Sequence, residues 1–172
     1  MEKEIRRPQL AADFPFTGYI SKVPNDEFMK VLVNQYEQTP QLLLSWSQEQ
    51  WDFSYAADKW SLKEVILHII DTERIFAYRA LRFSRNDKTP LAGFEQNDYI
   101  PFLDIQHRSP ESLIEEYRDT RRSTITMFKY FSDEMMLRQG YAAGNPLTPL
   151  AIGFIIPGHE IHHLEIVKER YL

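Results

Sequence analysis

Three helix-start signals constrain the fold of this chain more than any other feature of its sequence. Ser61 is followed three residues later by Glu64, a capping box in which each side chain satisfies a backbone N–H at a helix start. Ser109 and Thr148 are each followed by proline, which joins an N-cap hydroxyl to a residue whose fixed φ suits the first helical position. Apolar residues recur at intervals of three and four behind each signal, and no stretch alternates convincingly with the period of a strand. The sequence therefore predicts an all-α protein.

The apolar stripes predict four amphipathic helices. The first begins at Asn25, a suitable N-cap, and we expect Pro40 to kink or end it near Thr39 because proline lacks the N–H that a helix interior needs. The other three begin at the signals above. In the last of them Pro157 predicts a kink just before His159. Four such helices, each burying one face, are typical of a four-helix bundle.

The length of the chain predicts its domain organisation. Its 172 residues correspond to one domain, at the usual ~100 to 200 residues per domain. Residues 1–24 contain three prolines and scattered aromatic side chains, so we expect an extended N-terminal arm. Residues 25–172 then form a single four-helix bundle domain, with longer connections at 87–108 and 133–147.

Charge and hydropathy exclude several classes of function. The 20 Lys and Arg residues are outnumbered by 25 Asp and Glu, so we expect no nucleic-acid partner. The longest strongly apolar stretch, Leu150 to Ile156, is far shorter than the ~18 residues that a transmembrane helix needs, so we expect no membrane span. The charged N-terminus lacks the apolar core of a signal peptide. The predicted location is therefore the cytoplasm.

Two histidines lie on the buried face of the last predicted helix. At 100° per residue, its apolar stripe from Ile152 to Ile166 includes His159 and His163, which are one turn apart and close enough to share a metal ion. His68 borders the apolar stripe of the second helix and is the natural third ligand. Since the chain has no cysteine, only His, Asp or Glu can hold a metal. Three imidazoles leave open coordination positions and suit zinc or nickel.

Other interpretations of these histidines remain open. In one of them, His159 and His163 are core side chains hydrogen-bonded to backbone or to a carboxylate. Residues 159–163 also satisfy H-E-x-x-H, the metallopeptidase pattern in which Glu160 would be the general base. That alternative lacks a downstream ligand and a predicted strand to align a peptide. We expect Glu160 to point away from the buried stripe, towards the surface or a dimer contact, and His162 to lie on the flank as the weaker ligand.

Glu73 is a candidate catalytic residue on the second helix. It lies near the middle of the apolar stripe, where an unpaired carboxylate would be costly. It could orient a ligand histidine or act as a base for metal-bound water. The alternative is an ion pair with Arg121, or with another cation of the third helix.

Two segments resemble the DinB superfamily, the group that includes the YfiT-like metal-dependent hydrolases. They are residues 59–74, with the pattern W-S-x-x-E-x-x-x-H, and residues 158–164, with H-x-x-x-H. The resemblance implies a four-helix bundle with a long crossover connection and frequent homodimerisation. It also implies a divalent metal, zinc or nickel, on His68, His159 and His163. Some members of the family transfer low-molecular-weight thiols such as bacillithiol or mycothiol.

Two functions of different classes follow from this site. The first is an enzyme whose metal activates water or a low-molecular-weight thiol towards a small electrophile. The second is a non-catalytic module that binds a metal or a small ligand. A free base near the metal, Glu73 or Glu160, would favour catalysis, whereas apolar pocket walls alone would favour binding.

Overall fold

The computed structural model describes residues 7–8, 14–24 and 27–172, and over these residues it is mainly helical. In chain order the helices are α1 (Thr17–Lys22), α2 (Phe28–Leu44), α3 (Gln48–Asp52), α4 (Leu62–Ser84), α5 (Pro110–Lys129), α6 (Asp133–Leu137) and α7 (Pro149–Arg170). The four longest, α2, α4, α5 and α7, form a four-helix bundle. The predicted fold class is confirmed.

The order of the helices around the bundle differs from their order in the chain. Helix α2 packs against α5 and α7, and α4 packs against the same two helices, so α2 and α4 lie on opposite corners. The chain crosses the bundle between α2 and α4, and crosses it again between α5 and α7. Helices α4 and α5 are neighbours, joined by a connection that contains three short 3₁₀ turns.

The predicted start signals cap their helices. The Ser61 hydroxyl accepts from Glu64 N at 3.3 Å, and the Glu64 carboxylate accepts from Ser61 N at 2.7 Å. Ser109 and Thr148 accept from the backbone N–H three residues on, at 3.2 and 3.1 Å. These bonds satisfy N–H groups that have no partner inside the helix. The starts of three bundle helices therefore follow from local sequence.

The first bundle helix differs from the prediction at both ends. It begins at Phe28 without a side-chain cap, and the predicted cap, Asn25, lies outside the described residues. It does not end near Thr39 but continues through Pro40 to Leu44. Thr39 and Pro40 are both buried, so packing against the neighbouring helices offsets the one backbone hydrogen bond that proline removes. Helix α7 likewise continues through its internal proline.

The N-terminal segment is not extended throughout, as was predicted for residues 1–24. Residues 17–22 form α1, which packs on α7, while residues 1–6 and 9–13 lie outside the described part of the chain. The two helices meet closely at Gly158, where a Cβ atom would lie only 2.0 Å from the carbonyl oxygen of Tyr19. Burial of Ile20 and Val23 holds this segment against the bundle. The prolines in the sequence predict an extended chain and give no sign of this packing.

The connection at 133–147 is more ordered than predicted, because it contains α6 and a β-hairpin. Strands β1 (Gly140–Ala142) and β2 (Asn145–Leu147) pair antiparallel through a turn at Ala143 and Gly144. Both turn residues have positive φ, 50° and 77°, as a type I′ hairpin turn requires. The prediction of no strand is therefore wrong. Three-residue strands are too short to show alternation, and Ala-Gly is not the usual Asn-Gly signal of this turn.

The first half of α7 is buried inside the bundle. All residues from 149 to 160 are buried, and exposure begins only at residue 161. Helix α7 packs against α1, α2, α4 and α6, which together cover it. In the described part of the chain, no helix is both long enough and apolar enough to cross a membrane.

Candidate metal centre

Three histidines from two neighbouring helices meet inside the bundle. His68 comes from α4, and His159 and His163 come from consecutive turns of α7. The Nε2 atom of His159 lies 3.1 Å from Nε2 of His68 and 3.0 Å from Nε2 of His163. One ring nitrogen from each residue lies within 4.8 Å of the others. The structure thus brings together the three residues that the sequence predicted as ligands.

Burial keeps these imidazoles neutral. Desolvation lowers the pKa of His68 to about 4, and desolvation with the neighbouring histidines lowers that of His163 to about 3. The pKa of His159, the most deeply buried of the three, also falls well below its usual value, mainly through desolvation. At neutral pH each ring therefore has a nitrogen lone pair, the form that binds metal.

The donor set suits a divalent transition metal. Converging neutral imidazoles are the ligands that zinc and nickel accept, and neither magnesium nor calcium prefers them. Two ring nitrogens about 3 Å apart can form a hydrogen bond when one of them carries a proton. A metal ion would instead bind one lone pair from each of the three rings. The Thr72 hydroxyl lies 3.4 Å from Nδ1 of His68, a long contact on the far side of that ring. The residues present therefore fit a single metal ion, and binding stays a prediction.

Aromatic rings enclose two of the histidines. The Tyr19 ring meets His159 edge to face, with centroids 5.2 Å apart and planes at 87°. The Trp60 ring lies 5.0 Å from that of His68. His162 contacts Tyr19 and His163 through its ring, but its nitrogens are not among those that converge. Sequence reasoning did not single out Tyr19, because no local signal links the N-terminal segment to the last helix.

Glu73 forms the ion pair that the sequence offered as an alternative to a catalytic role. Arg121 Nε donates to both Glu73 oxygens, at 2.9 and 3.0 Å, and Nη2 donates to Oε2 at 2.8 Å. Both side chains are almost completely buried. The carboxylate is held by the guanidinium and has no hydrogen bond to a histidine in the described chain.

Glu160 is buried, and the expectation that it serves the surface or a dimer contact is wrong. Its carboxylate accepts from Arg121 Nη2 at 2.6 Å, from the Tyr117 hydroxyl at 2.8 Å and from the Thr39 hydroxyl at 2.6 Å. The helical projection assumed one solvent-facing side, but on the Glu160 side α7 faces polar side chains of α2 and α5. The side chain that leaves the buried stripe therefore meets α2 and α5 instead of water.

Arg121 is the centre of this network and joins all four bundle helices. From α5 it reaches Glu73 on α4 and Glu160 on α7, and its Nη1 donates to Gln35 on α2 at 2.7 Å. Gln35 in turn donates to the carbonyl of Pro157 at 3.0 Å. The sequence pairs Arg121 with Glu73 as one option but gives no sign of the other contacts, which depend on the order of the helices around the bundle.

One side of the triad opens into a small cavity. His163, the least buried ligand, lines a space of about 220 Å³ together with residues of the 55–65 segment and the end of α7. A larger groove, of about 780 Å³, lies between α2 and α7 and includes Glu160 but none of the three histidines. Of these two spaces, the smaller one is lined by a candidate ligand and borders the candidate metal site.

A helical bundle with three converging histidines defines the class of this protein. The family model of the DinB superfamily matches residues 32–167, and the chain belongs to that superfamily. No curated protein sequence matches it. Among solved structures, the chain is similar to YfiT from Bacillus subtilis, with 15% identity, a TM-score of 0.75 and coverage of 96% of this chain and 92% of YfiT. YfiT is described as a probable metal-dependent hydrolase with an unusual four-helix bundle topology, and at this identity the likeness shows the fold.

Proposed function

We propose that this protein is a metal-dependent enzyme that activates water, or a low-molecular-weight thiol, towards a small electrophile. The observation that carries the proposal is the convergence of three neutral imidazole nitrogens beside a cavity. The description of YfiT as a probable metal-dependent hydrolase supports the same class of reaction, and we therefore rank water ahead of a thiol. The thiol alternative rests on the family resemblance alone.

His68, His159 and His163 would hold the metal. Such an ion, bound by three histidines with positions left open, acts as a Lewis acid and lowers the pKa of a water or thiol ligand. The chain's own part is to fix the ligands and exclude bulk water. The Tyr19 and Trp60 rings cover His159 and His68, which leaves the His163 side for a substrate.

A second candidate is a binding module without catalysis, and one observation favours it. Glu73 and Glu160, the two carboxylates that sequence reasoning considered as bases, are both bound to Arg121. An enzyme built on this site would therefore depend on the metal, and not on either carboxylate, to activate the attacking group.

Rates measured with and without metal distinguish the two functions. Zinc- and nickel-loaded protein would be assayed against a panel of small activated esters, and against 1-chloro-2,4-dinitrobenzene with a thiol. The metal-free protein and the loaded His162→Ala variant serve as controls. We expect turnover that requires metal and survives in His162→Ala. A protein that binds metal without accelerating any of these reactions would be a binding module.

The choice between water and thiol has a spectroscopic test. In the cobalt-substituted protein, direct sulfur ligation adds an intense near-ultraviolet charge-transfer band when a thiol is titrated. Glutathione-, bacillithiol- and mycothiol-type thiols are the probes. An unchanged spectrum with all three would leave water as the attacking group.

Four further expectations stay predictions. We expect a homodimer, which sedimentation would test, and a location in the cytoplasm. We also expect a small-molecule substrate and no nucleic-acid partner.

A further inference from the structure

The cavity beside His163 has a lining of mixed character, in which Asp58, Lys59 and Asn97 are the other polar side chains. Its apolar lining consists of Tyr55, Trp60, Val65, Ile166 and Tyr171. We call this space the aromatic pocket. Since His163 is also part of its wall, a molecule in the pocket would lie next to the candidate metal site.

The aromatic walls are held in place by contacts of their own. The Tyr171 hydroxyl donates to the carbonyl of Trp60 at 2.7 Å, which ties the end of α7 to the start of α4. The Tyr55 and Tyr171 rings are perpendicular, with centroids 5.0 Å apart, and the Trp60 ring rests on His68. These rings are therefore ordered before a ligand arrives, which lowers the entropy that binding must overcome.

No unpaired charge faces the pocket from its described walls. Asp58 and Lys59 form an ion pair at 3.0 Å, and both side chains are exposed to water. Burial raises the pKa of Tyr171 to about 12, so its phenol stays neutral. The guanidinium of Arg170 lies over the Tyr55 ring, 5.5 Å from its centroid. The pocket thus offers ring faces, aliphatic carbons and the neutral Asn97 amide in place of a free salt-bridge partner.

The size of the pocket limits what it accepts. Its volume of about 220 Å³ is below the ~300 to 1,000 Å³ of sites that enclose drug-sized ligands. A single ring with a short polar group matches such a space. A charged group would lose water there, and its nearest charged neighbours, Asp58 and Lys59, already pair with each other.

We propose that the aromatic pocket binds a flat, uncharged group of the substrate, such as one aromatic ring, while the reacting end of the substrate reaches the metal. The inference rests on the proposed function, because it names the substrate class of that same site. The ring would stack on Tyr55 and Trp60, and offset or edge-to-face contacts with these side chains would add to the burial of its apolar surface.

Hydroxamates of different size test the pocket directly. Acetohydroxamate and benzohydroxamate share one metal-binding group and differ in the phenyl ring, and 4-carboxybenzohydroxamate adds a charge to that ring. Their affinities would be measured by calorimetry on the zinc-loaded protein. We expect benzohydroxamate to bind about tenfold tighter than acetohydroxamate or better, and the carboxylated form to lose most of that gain.

Pocket variants show whether the preference comes from these walls. Tyr55→Ala and Trp60→Leu should each bring the two affinities to within about threefold of each other. Zinc content and acetohydroxamate binding should stay nearly unchanged in Tyr55→Ala, whereas Trp60→Leu, which also removes a ring from His68, is judged by the ratio of the two affinities alone. Tyr130→Ala, which removes an exposed ring at the end of α5, is the matched control and should keep the full preference. Two variants are used so that a folding defect in one does not decide the result.

The outcomes separate the two proposals. If acetohydroxamate binds but the phenyl ring adds nothing, or if the preference persists in both pocket variants, the pocket inference is overturned and the metal site stands. If neither hydroxamate binds the zinc-loaded protein, the open coordination positions are absent and the proposed function falls with the inference.

Discussion

Arg121 Nη2 donates to Glu160 Oε2 across 2.6 Å, and both side chains have no solvent exposure. Burial alone lowers the pKa of the guanidinium, but the charges of Glu73 and Glu160 outweigh it and hold that pKa well above its usual value. The cation is therefore permanent, and two helices that carry the candidate ligands are bound to it. The ion pair therefore helps to fix the positions of the helices that carry the histidines.

Removing Arg121 should cost far more stability than removing its neighbour. Arg121→Met leaves two buried carboxylates without a cation, which we expect to lower the free energy of unfolding by about 3 to 5 kcal/mol. Arg122 is exposed and adjacent in sequence, so Arg122→Met should change the free energy of unfolding by less than about 0.5 kcal/mol. Urea denaturation of the metal-free variants measures both. Equal effects would mean that the network contributes nothing to stability.

Glu160→Gln separates a structural role from a catalytic one. Loss of the charged hydrogen bonds should lower the free energy of unfolding by about 1 to 3 kcal/mol, while metal content and any metal-dependent rate stay within a few-fold of wild type. Glu169→Gln, an exposed change on the same helix, is the control and should be nearly neutral. A fall in rate by several orders of magnitude at full metal content would make Glu160 the general base of an H-E-x-x-H site.

Two glycine substitutions test the seating of α1 on α7. Gly18→Ala, in α1, meets nothing within 4 Å and should stabilise the protein by about 0.5 to 1 kcal/mol through helix propensity. Gly158→Ala gains the same propensity, but its Cβ would collide with the Tyr19 backbone at 2.0 Å, so we expect a net loss of about 1 to 3 kcal/mol. Thermal unfolding of both variants gives the comparison. Stabilisation by Gly158→Ala would show that α1 does not pack there.

The metal-free protein should lose stability in mild acid. His68 and His163 have folded-state pKa values of about 4 and about 3, below the usual 6.5. At a pH between the folded-state value and 6.5, the unfolded chain therefore binds more protons than the folded protein. Stability should be full above pH 6.5 and fall as the pH drops towards 4, by up to about 1.4 kcal/mol per pH unit for each histidine.

Urea midpoints from pH 7 to pH 4 measure this dependence. His163→Leu should flatten the slope, since one buried imidazole no longer takes up a proton. Gln106, whose exposed side chain carries no titrating group, provides the control, and Gln106→Ala should keep the wild-type slope. A slope that does not respond to His163→Leu would show that this ring is not buried in its neutral form.

Local signals account for the parts of this fold that sequence reasoning predicted. The capping residues Ser61, Ser109 and Thr148 act within one helical turn, so their effect is visible without knowledge of the fold. The i, i+4 spacing of His159 and His163 and their place on an apolar stripe are likewise local. These features sufficed to predict the bundle and to select the histidines that converge.

The features that were missed depend on contacts between distant segments. Glu160 was expected at the surface because a helical projection cannot show that side chains of α2 and α5 meet this side of α7. The contact between Tyr19 and His159 joins residues 140 positions apart. The Ala143–Gly144 turn adopts positive φ at an alanine, which its residue type disfavours. Each is decided by tertiary packing, which overrides local preference.

Metal content measured by elemental analysis tests the central claim most directly. The protein would be purified without added metal, saturated with zinc or nickel, and freed of excess ion. We predict one divalent ion per chain in the wild type and in His162→Ala, and its loss in each of His68→Ala, His159→Ala and His163→Ala. A wild type that retains no metal, or a site lost in His162→Ala but intact in His163→Ala, would contradict the account.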